Sequence, residues 1–314
     1  MSLQTNATEM LTRYMAIRLI LDEGAFPSAP TADGTTQNVK TIFCNSDRNS
    51  LTAEVNITLA SGLEPNSAYI TIYGMTADDC NQFSRFNQLF PAQLYANTVE
   101  VYAGYTVDSN NMPPLIFQGQ VYRAGTDFSN TNRPFIIESY SGIYNQNLVA
   151  SATNPSGDIP LNTLFQGIVQ KSPDNIIYNS NNVIGTTNCP LYMGSWIAQL
   201  QSACNDYGYQ MKLVNNAVYI SPKGTPYVND ILTLSMDNGM LGSPMLVELG
   251  VDVRCRFNPA IKFGQQINIQ SMYQSKANGT WWINGYSHTL QNRGAKWESK
   301  LKLNPTKFNL PVAG

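Results

Sequence analysis

The chain has 314 residues, 43% of them hydrophobic, and a formal net charge of −2, enough for two or three domains and a sizeable core. No cluster of Lys and Arg offers phosphates a basic surface, which argues against a nucleic-acid-binding protein. No apolar run reaches the roughly eighteen residues of a membrane span, and the N-terminus from Met1 to Met10 is polar with Glu9 inside it, so neither a span nor a signal peptide is expected.

Charged residues are only 13%, about half the usual 25%, and Asn, Gln, Ser and Thr supply the polar balance. Two explanations compete: a secreted, binding-type β protein, or a subunit whose surface neighbours cover, since charges are depleted at interface cores. The five cysteines, Cys44, Cys80, Cys189, Cys204 and Cys255, show no C-x-x-C spacing. Free and mostly buried thiols are expected, with no disulfide framework and no zinc site.

Residues 1–12 read as an arm. Tyr14 to Leu21 is the first strand, with Met15, Ile17, Leu19 and Leu21 on one face. The stretch Pro27 to Gly34 is an exposed loop. Ser50 to Leu59 alternates Leu51, Ala53, Val55, Ile57 and Leu59 with polar residues, and Ser67 to Gly74 is another strand. Thr76 with Asp79 three residues later predicts a capped helix from Ala77 to about Asn87. Strands follow at Asn97 to Tyr105, Pro114 to Ala124 and Pro134 to Ser141, together a barrel or sandwich.

The period then changes. Leu161, Leu164, Phe165, Ile168 and Val169 form a helical stripe just after Pro160. A second helix is predicted from Ser195 to Tyr207, with Trp196, Leu200, Ala203, Cys204 and Tyr207 on one face and Gly208 as C′ residue. Tyr209 to Ser221 reads as a hairpin turning at Asn215-Asn216. In the last third, Val251, Val253, Cys255 and Phe257 alternate with charged residues before Asn258-Pro259. Gln265 to Gln270, Thr280 to Leu290 and Lys296 to Leu303 follow, and four antiparallel strands with short turns are expected.

These motifs, in this order, resemble the baseplate hub proteins of contractile-tailed bacteriophages. The C-terminal part of the resemblance lies in the Val251–Pro259 strand end, Gly264-Gln265-Gln266-Ile267-Asn268-Ile269, the hairpin from Asn278 to His288, and Trp297 to Leu303. The N-terminal part lies in Ala68 to Thr76 running into a short helix, Val99 to Tyr105, Leu115 to Ala124 with Phe117-Gln118-Gly119, and Arg133 to Ser139. The small α+β unit between them is a third point of likeness. The resemblance implies a mainly β fold with an α+β insert: two tail-tube-like β-barrel domains, 1–148 and 227–314, flanking a unit at 149–226.

It also implies a structural role, as subunit of a homotrimer joining a central spike to the hexameric tail tube in the virion baseplate, assembled in the host bacterial cytoplasm. Three chains with two tube-like barrels each would present six similar barrels. Threefold symmetry would meet sixfold, with wedge and tape-measure proteins as neighbours and an axial channel passing DNA without specific binding. A cell-wall-degrading or glycan-binding tail protein, or the hub of a tailocin or type VI secretion system, are the alternatives.

No catalytic, cofactor-binding or metal-ligating residue is expected. His288 is the only histidine, which removes multi-histidine metal sites, and it is read as structural or at the surface. Asp78 and Asp79 suit the helix cap, and Asp22-Glu23 ends a strand. The sequons at Asn56 and Asn278 are chance matches without a secretory signal. Tyr69, Tyr73, Tyr102, Tyr105, Trp281 and Trp282 could form a carbohydrate platform but are read as packing or interface anchors. The faces and edges of Ser50–Leu59 and Asn97–Tyr105 are expected to meet neighbouring copies, because they carry so little charge.

Overall fold

The computed structural model describes residues 12–21, 38–45, 50–59, 65–84, 97–109, 111–142, 149–172, 176–248 and 250–305, without the side chains of 228 and 229. The N-terminal region holds β1 (Tyr14–Ile20), β2 (Val39–Phe43), β3 (Thr52–Leu59), β4 (Ser67–Tyr73), α1 (Ala77–Phe83), β5 (Thr98–Gly104), β6 (Leu115–Thr126) and β7 (Phe135–Tyr140). The middle holds β8 (Asp158–Pro160), α2 (Leu161–Val169), β9 (Ile177–Ser180), β10 (Thr186–Asn188), α3 (Trp196–Asp206), β11 (Tyr209–Val214) and β12 (Ala217–Pro222). The last region holds β13 (Val228–Ser235), β14 (Met245–Val247), β15 (Gly250–Arg256), β16 (Gln265–Gln270), β17 (Gly279–Gln291) and β18 (Trp297–Pro305).

The fold is mostly β, and both outer regions belong to one sheet of 13 strands, ordered β14-β15-β18-β17-β3-β4-β7-β6-β5-β1-β2, with β13 and β16 branching from β17. Two separate closed barrels were expected; among the described residues no barrel closes. The physical reason is β17. It is 13 residues long, so one edge can serve two partners: Gly279 to Trp282 pair with β16, while Tyr286 to Gln291 pair with β3. A bulge between Ile283 and Gly285, where the partner changes, adds the local bend.

Alternation predicted from sequence appears as rows across this sheet. Ser299, His288, Ile57, Ala68, Ser139 and Val121 stand in register on adjacent strands, and all are buried. One core cluster therefore contains side chains of both outer regions, from Met15 to Leu303. Each fully buried Ile, Leu or Val in it contributes about 1.5–3 kcal/mol. Gly119 is fixed by close packing, since a Cβ there would lie 2.6 Å from the Phe117 ring and from Ser139 Oγ.

The middle region has its own core, built by Leu161, Leu164, Phe165, Ile168 and Val169 of α2 against Trp196, Leu200, Ala203 and Cys204 of α3 and the β11–β12 hairpin. The Ser195 hydroxyl caps α3 by accepting from Ala198 N at 3.3 Å, and Gly208 follows it at φ +74° as a left-handed C′ residue. Tyr207, expected on this face, is the C-cap residue; it packs half-buried against the same core, and its hydroxyl meets Thr187 Oγ1. The hairpin turns at Asn215 and Asn216 with φ of 47° and 44°, the left-handed pair a two-residue turn requires.

That turn docks on the N-terminal region. Gln118 N donates to Asn215 Oδ1 at 3.1 Å, and Asn66 Nδ2 donates to Leu213 O at 2.9 Å. Helix α1 starts as the sequence predicts: Asp79 N donates to Thr76 Oγ1 at 3.3 Å and the Thr76 hydroxyl donates to Asp79 Oδ2 at 2.6 Å. It stops at Phe83, and the expected extension to Asn87 lies outside the described residues, as do most of the N-terminal arm, Asp22-Glu23 and the Pro27–Gly34 loop.

Candidate functional site: an eight-strand belt with two free edges

Within the sheet, the strands β6-β7-β4-β3 and β17-β18-β15-β14 are consecutive groups of four. Ranked by chain position inside each group, both read third, fourth, second, first. Every step is antiparallel, including the β3–β17 joint. The β6–β7 and β17–β18 turns share one rim of the belt, and the β3–β4 and β14–β15 turns share the other. Even the irregularities match: the β6–β7 ladder is bulged between Val121 and Arg123, as β17–β18 is between Ile283 and Gly285. The described chain thus contains two modules of identical topology joined edge to edge.

The belt has a buried face and a polar face. On the polar face Lys300, Ser287, Thr58, Ser67, Tyr140 and Gln120 form one row, and Glu298, Thr289, Asn56, Tyr69, Glu138 and Arg123 the next. It carries three opposed pairs, Arg123–Glu138 at 2.6 Å, Arg254–Glu298 at 2.7 Å and Lys300–Asp252 at 2.9 Å, beside Glu54, Arg256 and Lys302 on the same face. These pairs are partly exposed and add little stability, and each cancels only its own two charges.

Neither β3 nor β5 is an edge, contrary to expectation: β3 lies between β17 and β4, and β5 between β1 and β6. Among the described residues, the open edges of the belt are β14 and the part of β6 beyond Val121, whose N–H donates to Asn97 O at 2.7 Å. The β5 ladder stops at Gln120, and among the described residues no strand covers the segment beyond Val121. In β14, Met245, Leu246 and Val247 are 58%, 43% and 42% exposed, unusual for three apolar residues in succession.

His288 is buried in the joint. Its Nδ1 lies 2.7 Å from Ser299 Oγ, its ring meets Phe257 edge-on at 5.0 Å and Tyr286 at 4.6 Å, and burial pushes the imidazole down to about 3. It is a neutral core residue.

The cysteines are free; Cys44, Cys80, Cys204 and Cys255 are buried and Cys189 is exposed. Burial pushes the Cys44, Cys204 and Cys255 thiols up to about 12. Among the described residues no group of three or more His, Cys, Asp or Glu is placed to hold a metal ion.

The aromatics named from sequence are dispersed. Tyr102 donates to Glu100 Oε2 at 2.7 Å, Tyr105 packs on Phe257, Trp281 donates to Ala277 O at 2.8 Å, and Trp282 is buried. Only Tyr69 stands well exposed, at 41%, on the polar face of the belt. Asn56 is exposed on that face, while Asn278 binds both backbone groups of Ser271. No helix among the described residues is long and apolar enough to cross a membrane.

A family profile described as Baseplate hub gp41 matches residues 38–302. The chain belongs to this baseplate hub family and is a structural component of a phage tail. The fold is shared with solved tail proteins at low identity. The tail protein from Neisseria meningitidis MC58 is 10% identical with a TM-score of 0.55, over 92% of this chain and 96% of that one. The prophage MuSo2 43 kDa tail protein from Shewanella oneidensis is 8% identical with a TM-score of 0.53, over 93% and 98%. The E. coli c3393 protein, described as a type VI secretion component with structural similarity to T4 bacteriophage tail proteins gp27 and gp5, is 9% identical with a TM-score of 0.50, over 82% and 75%. No curated protein matches the sequence.

Proposed function

We propose that the chain is the subunit of a trimeric baseplate hub that joins the central spike to the first ring of the tail tube. The observation that carries this reading is the pair of four-strand modules with the same strand order, direction and turn placement. Three chains then present six near-equivalent modules, so a threefold ring offers a sixfold rim to the tube. An even number of strands per chain also lets up-down alternation continue through a closed ring.

Size supports the same reading. Eight belt strands per chain and three chains give twenty-four, and at about 4.8 Å per strand the circumference is at least about 115 Å and the diameter at least about 37 Å between backbones, strand tilt widening both. That leaves an axial channel for DNA. With the shared core behind it, the polar face lines this channel, and acidic partners neutralise three of its basic side chains, which weakens its hold on a polyanion in transit.

Residues 1–148 and 227–314 are the two tube-like domains and 149–226 the α+β unit. The partners are the spike, the tube protein, wedge proteins and the tape-measure protein, with assembly in the host cytoplasm. No residue is assigned to catalysis. The test is stoichiometry: quantitative mass spectrometry of purified baseplates should count three copies of this chain per trimeric spike, and six would refute the trimer.

A further inference from the structure

We propose that the ring closes through an antiparallel ladder between β14 of one copy and residues 124–126 of β6 in the next, with Leu246 opposite Thr126 and Val247 opposite Gly125. This rests on the trimeric reading above. The template is the joint inside each chain, where β3 pairs with the second half of β17.

The register follows from superposing the modules. Matching the bulges sets Gly285 on Arg123, each opposite the next residue of its hairpin partner, Lys302 and Glu138. Carried along the strands, this puts Ser287 on Gly125 and His288 on Thr126. Carried across the module, it puts Ile57 on Leu246 and Thr58 on Val247. In the internal joint Ile57 faces His288 and Thr58 faces Ser287.

The other edges fit less well. β2 lies at the far end of the path, ten antiparallel steps from β14, so it runs parallel to β14 and breaks the alternation that rotation preserves; β6 is seven steps away and antiparallel. The outer edge of β13 is capped at its C-terminal end, with Asn238 Nδ2 donating to Thr233 O at 2.8 Å and Met240 N to Ser235 O at 2.9 Å. β14 itself carries no Lys, Glu or Pro to deter pairing, and pairing would cover Leu246, now 43% exposed.

The test is a cysteine pair, Gly125→Cys with Val247→Cys, in a Cys189→Ser background. A Cβ at Gly125 meets no atom within 4 Å, and directly opposed residues lie about 4.5–5.5 Å apart, within disulfide reach. Oxidised intact tails should yield a covalent three-copy species on a non-reducing gel. The control pair Asn56→Cys with Thr289→Cys closes within one chain at the internal joint and reports oxidant access.

If the control closes and the test pair stays monomeric in tails whose reconstruction shows three copies, the junction is wrong and the trimer stands. A different copy number sinks the trimer itself. Should the double variant not assemble, Leu246→Glu decides: the isolated chain should melt as the parent does, while tail yield falls about tenfold or more, as expected for an unpaired charge at a buried junction. Parental yield would overturn the proposal.

Discussion

His288 of β17 stands directly opposite Ile57 of β3, more than two hundred residues away in the chain, and both are buried where the two modules meet. A titratable ring at that position makes the joint sensitive to acid. The folded value, about 3, lies below the ordinary 6.5, so the unfolded state takes up the proton first. Stability is therefore fully present above pH 6.5 and declines as pH falls towards 3.

Between pH 7 and pH 5, where carboxylates hardly titrate, this single group should cost about 2 kcal/mol. Urea midpoints of the isolated chain at the two pH values should show it, and His288→Gln should remove most of the difference. Equal pH dependence in the two proteins would contradict the burial argument.

The docked hairpin tip gives a second prediction. Asn215→Gly keeps the left-handed backbone but loses the bond from Gln118 N, and should cost about 1–2 kcal/mol. Asn215→Ala adds the left-handed penalty of about 1–2 kcal/mol. Amide exchange in β11 and β12 should rise in that order, and an unchanged rate in both variants would show that the tip is not anchored.

Lys40 and Asp79 form an ion pair in which the carboxylate is fully buried and the Lys side chain is 22% exposed. Asp79→Asn should destabilise the chain by less than the roughly 3–5 kcal/mol of a fully buried pair, because water reaches the ammonium. Asp79→Leu combined with Lys40→Met should recover part of the loss. Chemical denaturation measures both, and a double variant less stable than Asp79→Asn would contradict this.

Thiol titration separates the cysteines. Without reductant, one group should react in the folded chain, Cys189, and five after denaturation, because the other four are buried. Two or more fast-reacting thiols in the folded chain would contradict the core described here.

Much of this was legible in the sequence where a strand has one wet face. The alternation in Ser50–Leu59, Val251–Phe257 and Lys296–Leu303 predicts which side chains are buried, and the Thr76 and Ser195 caps and the Asn215-Asn216 turn fall where local chemistry places them. Pairing was not legible, because period two fixes a face and not a partner. The β3–β17 joint is long-range, β15 skips its neighbour β16 to pair with β18, and β16 takes β13 in parallel.

The strands β2, β13 and β14 were missed for related reasons. Met245-Leu246-Val247 has no alternation to detect, since all three side chains are exposed in the single chain. The candidate junction is thus the feature least visible in sequence, and only the repeated module topology brings it out.

The most direct measurement is a reconstruction of the intact tail tip without imposed symmetry. The account predicts three copies of this chain around the axis, with six four-strand modules in one ring against the tube and the polar face of Thr58, Tyr69 and Ser287 towards the channel. Six copies in that layer, or a position at the outer rim away from the axis, would contradict it.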